Sequence, residues 1–214
     1  MAKNQTLDIG SVRRNLAIIL IGSIIAVNSV IVFSNPESRE VYSNLLVNAT
    51  ATIALGLALI VMYRQKIYGL SKVYATLAAG LILLFVAERI STHYELGSAT
   101  EMSFPSFVDL LRLIGYTFFA YHLFRSYKFS RKSLVPYWKL LLLSMLINVI
   151  AYSGSVYSVA TNIIEETWMW DLMYNASYLC IAIALFWYNR FFIFKNEDGE
   201  DSGGKIISRP YARF

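Results

Sequence analysis

The chain has 214 residues, of which 57% are hydrophobic and 15% charged, with mean hydropathy +0.50 and formal net charge +5. A water-soluble domain carries roughly 25% charged residues, so the composition excludes a soluble globule. Six stretches of bilayer length, at roughly 20 residues each, consume most of the chain and leave no loop able to hold a kinase, cyclase or nuclease module.

In chain order, uninterrupted apolar runs predict spans over Asn15 to Phe33, Ser43 to Tyr63, Ser71 to Glu88, Phe107 to Phe124, Tyr137 to Ser158 and Trp170 to Arg190. Arg13 and Arg14 precede the first run as they would in a leader, but no small-residue cleavage site follows closely, so this run is read as a retained span. The expectation is an all-α integral membrane protein with one six-helix domain over residues 1–194. A polar, flexible tail over residues 195–214 follows it, rich in Glu, Asp, Ser and Gly.

Charge sets the expected direction. With the N-terminus in the cytoplasm, the inner segments hold 16 of the 19 Lys and Arg residues; Arg39, Arg89 and Arg112 are the outer three. Nine of the fourteen acids lie on the outer side. Positive-inside insertion demands this asymmetry, which places both termini in the cytoplasm of a multi-pass protein of the cell membrane. The basic residues are spread over short loops, where anionic headgroups account for them and no nucleic-acid partner is implied. Trp138 and Trp187 flank inner ends, and Trp168 and Trp170 an outer one, as an aromatic belt does.

A shift of about 127 residues lays Asn48-Ala49-Thr50 on Asn175-Ala176-Ser177, hinting at a parallel repeat of spans one and two in spans five and six. Asn48 and Asn175 also open glycosylation patterns, but their position at span boundaries makes them helix residues first. Cys180 is the single cysteine and makes no intrachain disulfide.

Charges at membrane depth are costly and are paired or functional. Glu88 and Arg89 end span three, and Asp109 and Arg112 sit inside span four. Pro105 suits the first turn of span four, with Ser103 as its cap. Asp109 and Arg112 share a helix face at i, i+3. In an antiparallel hairpin Glu88 meets Arg112 and Arg89 meets Asp109, a neutral tetrad. It is either an ion-pair clamp or an outward polar pocket for a ligand or ion. His93, assigned to an outer loop, and His122, near the inner end of span four, lie too far apart to share a metal. Met102, Met169 and Met173 are ordinary packing residues, so no metal or cofactor is expected. No nucleophile, base and orienter stand at workable spacing, and no catalytic residue is assigned.

The stretch Glu88-Arg89 … Tyr94-Glu95-Leu96 … Phe104-Pro105-Ser106-Phe107-Val108-Asp109 … Gly115-Tyr116 … Ala120-Tyr121-His122-Leu123-Phe124 resembles a motif of prokaryotic membrane sensor modules, many of them archaeal. In those, a Pro-Ser-x-x-Asp turn leads into a helix with Gly-Tyr near its middle, ahead of histidine-kinase, PAS or diguanylate-cyclase domains. The resemblance covers about 40 residues around Pro105, Ser106, Gly115 and Tyr116. It implies a sensory module, here a stand-alone one that acts through a partner.

Three functions compete: a non-catalytic sensory or regulatory module, an accessory subunit of a larger membrane complex, and a small transporter or channel. Transport ranks last because the span centres are largely apolar, with Asn28, Asn148 and Ser153 as the main exceptions. The inner loop from Arg125 to Lys139 is the expected contact for a protein partner or for lipid, through Arg125, Lys128, Arg131, Lys132 and Lys139.

Overall fold

The structure, a computed structural model, describes residues 9–65, 71–97, 106–128, 135–161 and 168–189. They form six α-helices: α1 (Ile9–Val32), α2 (Pro36–Gln65), α3 (Ser71–Gly97), α4 (Phe107–Lys128), α5 (Val135–Thr161) and α6 (Trp168–Tyr188). Each contains a stretch long and apolar enough to cross a membrane. One end of the bundle holds the last turns of α1, α3 and α5 and the first turns of α2, α4 and α6, with a surplus of acids among the described residues. The other holds the opposite ends of the helices, with a surplus of bases among the described residues. These are the acidic and basic ends below.

Helix starts follow local chemistry. α2 begins at Pro36, whose fixed φ and missing N–H suit a first helical position, and Ser38 N donates to Asn35 O (3.0 Å). Only residues 33–35 separate α1 from α2, so the polar stretch from Pro36 to Tyr42, expected as loop, is helix. α4 begins at Phe107 with Ser106 as its cap. Ser106 Oγ accepts from Asp109 N (3.3 Å), while Asp109 Oδ2 accepts from Ser106 N (2.7 Å). That is a reciprocal capping box, and it corrects the assignment of the cap to Ser103. Ser103, Pro105 and the expected 195–214 tail lie outside the described residues.

The expected end of span three at Glu88 is also corrected. α3 runs on to Gly97, so Glu88 and Arg89 lie more than two turns inside it, and His93 is a helix residue rather than a loop residue. The run from Arg89 to Tyr94 reads as loop by hydropathy. It stays helical because its inward side chains, Ser91 and Thr92, find partners on neighbouring helices.

Helices α2, α3, α4, α5 and α6 close a ring in which each packs on the next and α6 packs on α2. The α4–α5 seam is the most lightly packed of the five. α1 stands outside, against α6 and α2; 6% of its apolar stretch is buried, against 50% for α6. The tightest crossing is between α3 and α4. A Cβ added to Gly80 would lie 2.9 Å from Gly115 O, and one added to Gly115 would lie 3.1 Å from Gly80 O, so both glycines let the backbones touch. At the acidic end of the α5–α6 pair the Trp170 ring covers Gly154, leaving no room for a Cβ, and Trp170 Nε1 donates to Ser158 Oγ (3.2 Å).

α2 and α6 run side by side in the same direction. Ser43 bonds Asp171, Thr50 Oγ1 donates to Asn175 Oδ1 (3.0 Å), and Arg64 Nη1 donates to Asn189 Oδ1 (3.0 Å). The two segments that align in sequence thus meet at matching depth. Asn48 and Asn175 are buried there, within helices. Across the middle of the ring lies a largely apolar layer that includes Leu81, Leu84, Phe119, Leu141 and Ile181, all buried, with one polar contact at mid-depth where Ser144 and Asn148 of α5 meet Ser177 of α6. Polar clusters flank it on both sides.

Candidate functional site

The cluster on the acidic side centres on Arg112, which projects from the second turn of α4 into the ring. Its Nη2 donates to Glu88 Oε2 (3.3 Å) and to Ser91 Oγ (2.9 Å), both on α3. Glu88 is 6% exposed, and its other oxygen, Oε1, accepts from Tyr178 Oη on α6 (3.3 Å). Three helices therefore meet on one ion pair. The guanidinium carbon lies 5.9 Å from the centre of the Tyr152 ring on α5 and 6.0 Å from that of Tyr174 on α6. Tyr116 packs against Tyr152 with ring centres 6.1 Å apart. Aromatic faces attract a cation most strongly where water is excluded, so this wall helps to hold the charge.

Of the four charged residues singled out in the sequence, the structure joins Glu88 to Arg112 but does not join Arg89 to Asp109. Arg89 is exposed and its guanidinium lies over the Phe85 ring of its own helix (4.9 Å). Asp109 is occupied locally: besides the capping box, Ser106 Oγ donates to Oδ2 (2.8 Å) and Tyr152 Oη donates to Oδ1 (3.0 Å). Three donors on one carboxylate leave a long arginine little to gain. The neutral tetrad is therefore replaced by one buried pair and one capping carboxylate latched across the α4–α5 seam. The motif around span four reads the same way. Ser106 and Asp109 cap the helix, Gly115 admits α3, and only Tyr116 faces the cluster.

Buried side-chain atoms without a hydrogen-bond partner among the described residues gather toward the acidic side. Arg112 Nε, Tyr174 Oη, Asn48 Oδ1 and Asn175 Nδ2 lie there, Asn148 Oδ1 at the middle of α5, Asn28 Oδ1 on α1 and Gln65 Oε1 in the cluster on the basic side. The amides are each half used. Asn48 Nδ2 donates to Thr92 Oγ1 (2.7 Å) and Asn44 O (2.8 Å), and Asn148 Nδ2 donates to Ser177 Oγ. An unsatisfied buried group costs about 1–3 kcal/mol, and these atoms are the polar capacity that the described residues leave unused.

The basic-side cluster contains no charged side chain. His122 is fully buried; its Nδ1 meets the carbonyl of Val73 (2.8 Å), so Nδ1 carries the proton. Nε2 is then left to accept from Tyr137 Oη (3.1 Å) and Ser126 Oγ (3.1 Å). Tyr74, Tyr137 and Tyr188 stack around it with ring centres 5.0–5.3 Å apart, and Gln65 Nε2 donates to Tyr188 Oη (2.8 Å). This is a satisfied core histidine. Among the described residues no three His, Cys, Asp or Glu side chains converge as a metal site would require.

Of the basic residues singled out as a contact, Arg125 is exposed over the Tyr121 ring (6.0 Å) and Lys139 is exposed at the start of α5. Lys128 closes α4, and Arg131 and Lys132 lie outside the described residues. Of the tyrosines of the acidic cluster, sequence reasoning singled out Tyr116 alone, as part of a motif, and missed Tyr152, Tyr174 and Tyr178. The four come one or two from each of three helices, and the sole local signal is the i, i+4 pair Tyr174 and Tyr178.

Comparison of the chain with family models, with curated proteins and with solved structures finds no match.

Proposed function

We propose that the chain is a multi-pass protein of the cell membrane, acidic end outward and both termini cytoplasmic, that works as a non-catalytic sensory or regulatory module. Its outward cluster around Glu88 and Arg112 receives a small ligand, and the basic segment from Arg125 to Lys139 passes the state of α4 to a protein partner. The observation that carries this reading is the buried ion pair of Glu88 and Arg112 walled by tyrosines, with Arg112 Nε and Tyr174 Oη beside it lacking a partner among the described residues. The resemblance around span four supports the sensory class, and the asymmetry of charge supports the direction. α4 links the two ends: it bears Arg112 near one and Arg125 near the other. A coupling of about 1–3 kcal/mol between the ends is enough for a useful switch.

Two measurements test it. Single cysteines at Glu37, Ala99 and Glu165 in a Cys180→Ala background should react with an impermeant thiol reagent on intact cells, and cysteines at Tyr68, Ser130 and Lys205 should not. The reverse pattern ends the proposed orientation. Reversing Lys128, Arg131 and Lys132 to Glu should remove partner proteins that co-purify from native membranes. Unchanged recovery in the same ratio ends the docking role of this segment, whose residues then only meet anionic lipid at about 1 kcal/mol each.

A further inference from the structure

Two buried atoms, Arg112 Nε and the hydroxyl of Tyr174 beside the same guanidinium, constrain what the acidic cluster can take. Arg112 Nε is a donor and nothing else, so its partner must present an acceptor, which an ammonium group does not. Tyr174 is 4% exposed, and its hydroxyl, also without a partner among the described residues, belongs to a ring 6.0 Å from the same guanidinium. Charge excludes the opposite extreme. The single positive charge of Arg112 already faces Glu88 at 3.3 Å, and Asp109 stands three residues away on the same helix face. With both carboxylates ionised the cluster sums to −1, and a carboxylate or phosphate would add to that surplus where dielectric screening is weak. The rings of Tyr116, Tyr152 and Tyr174 add flat, apolar walls.

We infer that the ligand of this site is a neutral, membrane-soluble carbonyl compound whose oxygen accepts from Arg112 Nε and Tyr174 Oη. This rests on the reading of the cluster as a ligand site. One carbonyl oxygen has two lone pairs, enough for both donors. The way in is the lightly packed α4–α5 seam, where the bond from Tyr152 to Asp109 is the latch on the acidic side.

The test uses benzophenone, a neutral diaryl ketone that inserts into neighbouring C–H bonds on irradiation. The full chain is reconstituted in phosphatidylcholine vesicles and the adducts are mapped by mass spectrometry. Labelling should saturate, fall on α4, α5 or α6 beside Tyr152 and Tyr174, and persist in excess benzoate. Tyr174→Phe deletes a hydroxyl that holds no partner, so the fold should melt as before while half-saturation rises about threefold to tenfold, as the loss of one hydrogen bond implies. Saturable labelling that ignores Tyr174→Phe, or that benzoate suppresses, overturns the ligand class and leaves the site standing. Labelling that rises linearly and falls on outward-facing residues such as Leu113 and Phe118 overturns both.

Discussion

The two polar clusters use similar side chains, tyrosines above all, on opposite sides of one apolar layer. On the basic side Tyr74, Tyr137 and Tyr188 enclose a histidine whose two nitrogens are both engaged, and the seam between α4 and α5 is closed there by His122 with Tyr137 and by Trp138 Nε1 donating to Leu123 O (3.1 Å). On the acidic side the tyrosines enclose an ion pair that uses one nitrogen of the guanidinium, and the same seam is held by the Tyr152–Asp109 bond. Buried polar networks rigidify a core when fully satisfied and are unstable propositions when half satisfied. The difference teaches that the burial of polar groups does not by itself mark a site. What separates the clusters is their centre: His122 has both ring nitrogens engaged, whereas Arg112 keeps Nε without a partner among the described residues.

The comparison can be broken most forcefully at Glu88. Glu88→Ala leaves the Arg112 guanidinium buried without its carboxylate, and breaking a buried pair costs about 3–5 kcal/mol. Thermal melting in detergent should fall accordingly; a variant as stable as the parent would mean that water already reaches Arg112 freely. His122→Ala is the matching insult on the other side. It opens a cavity and strips Tyr137 of its acceptor, for about 2–3 kcal/mol, yet it should leave benzophenone labelling of the acidic cluster unchanged. Altered labelling would show the two clusters to be one coupled network. The smallest effect is expected at Asp109. As a cap rather than a clamp, its replacement by Ala should cost about 1 kcal/mol of stability. A loss as large as that of Glu88→Ala would restore it to the ion-pair system.

The six helices were legible because each apolar run is long enough to cross a membrane and short enough not to be two. Their ends were less so, for a physical reason. Hydropathy measures what a side chain prefers as a monomer in water, whereas Ser91, Thr92 and Glu88 remain in α3 because other helices supply their partners. The Glu88–Arg112 contact followed from two charges in antiparallel neighbours. The fate of Asp109 was readable too, since Ser106-x-x-Asp109 is the spacing of a capping box, but the competing attraction of Arg89 masked it. The tyrosine wall was not readable. Tyr116, Tyr152 and Tyr174 belong to three helices, and no spacing along the chain records that they share one guanidinium and one ring of contacts.

The central claim is that the acidic cluster is reachable and the basic cluster closed. Tyr152 and Tyr137 sit on one helix, one in each cluster, about 22 Å apart along its axis. Tyr152→Cys and Tyr137→Cys, each in a Cys180→Ala background, remove the same side-chain volume and report access at the two depths. With N-ethylmaleimide on native membranes, the cysteine at 152 should be modified at least about tenfold faster, the factor that corresponds to about 1.4 kcal/mol of easier opening. Equal rates, or faster modification at 137, would contradict the account.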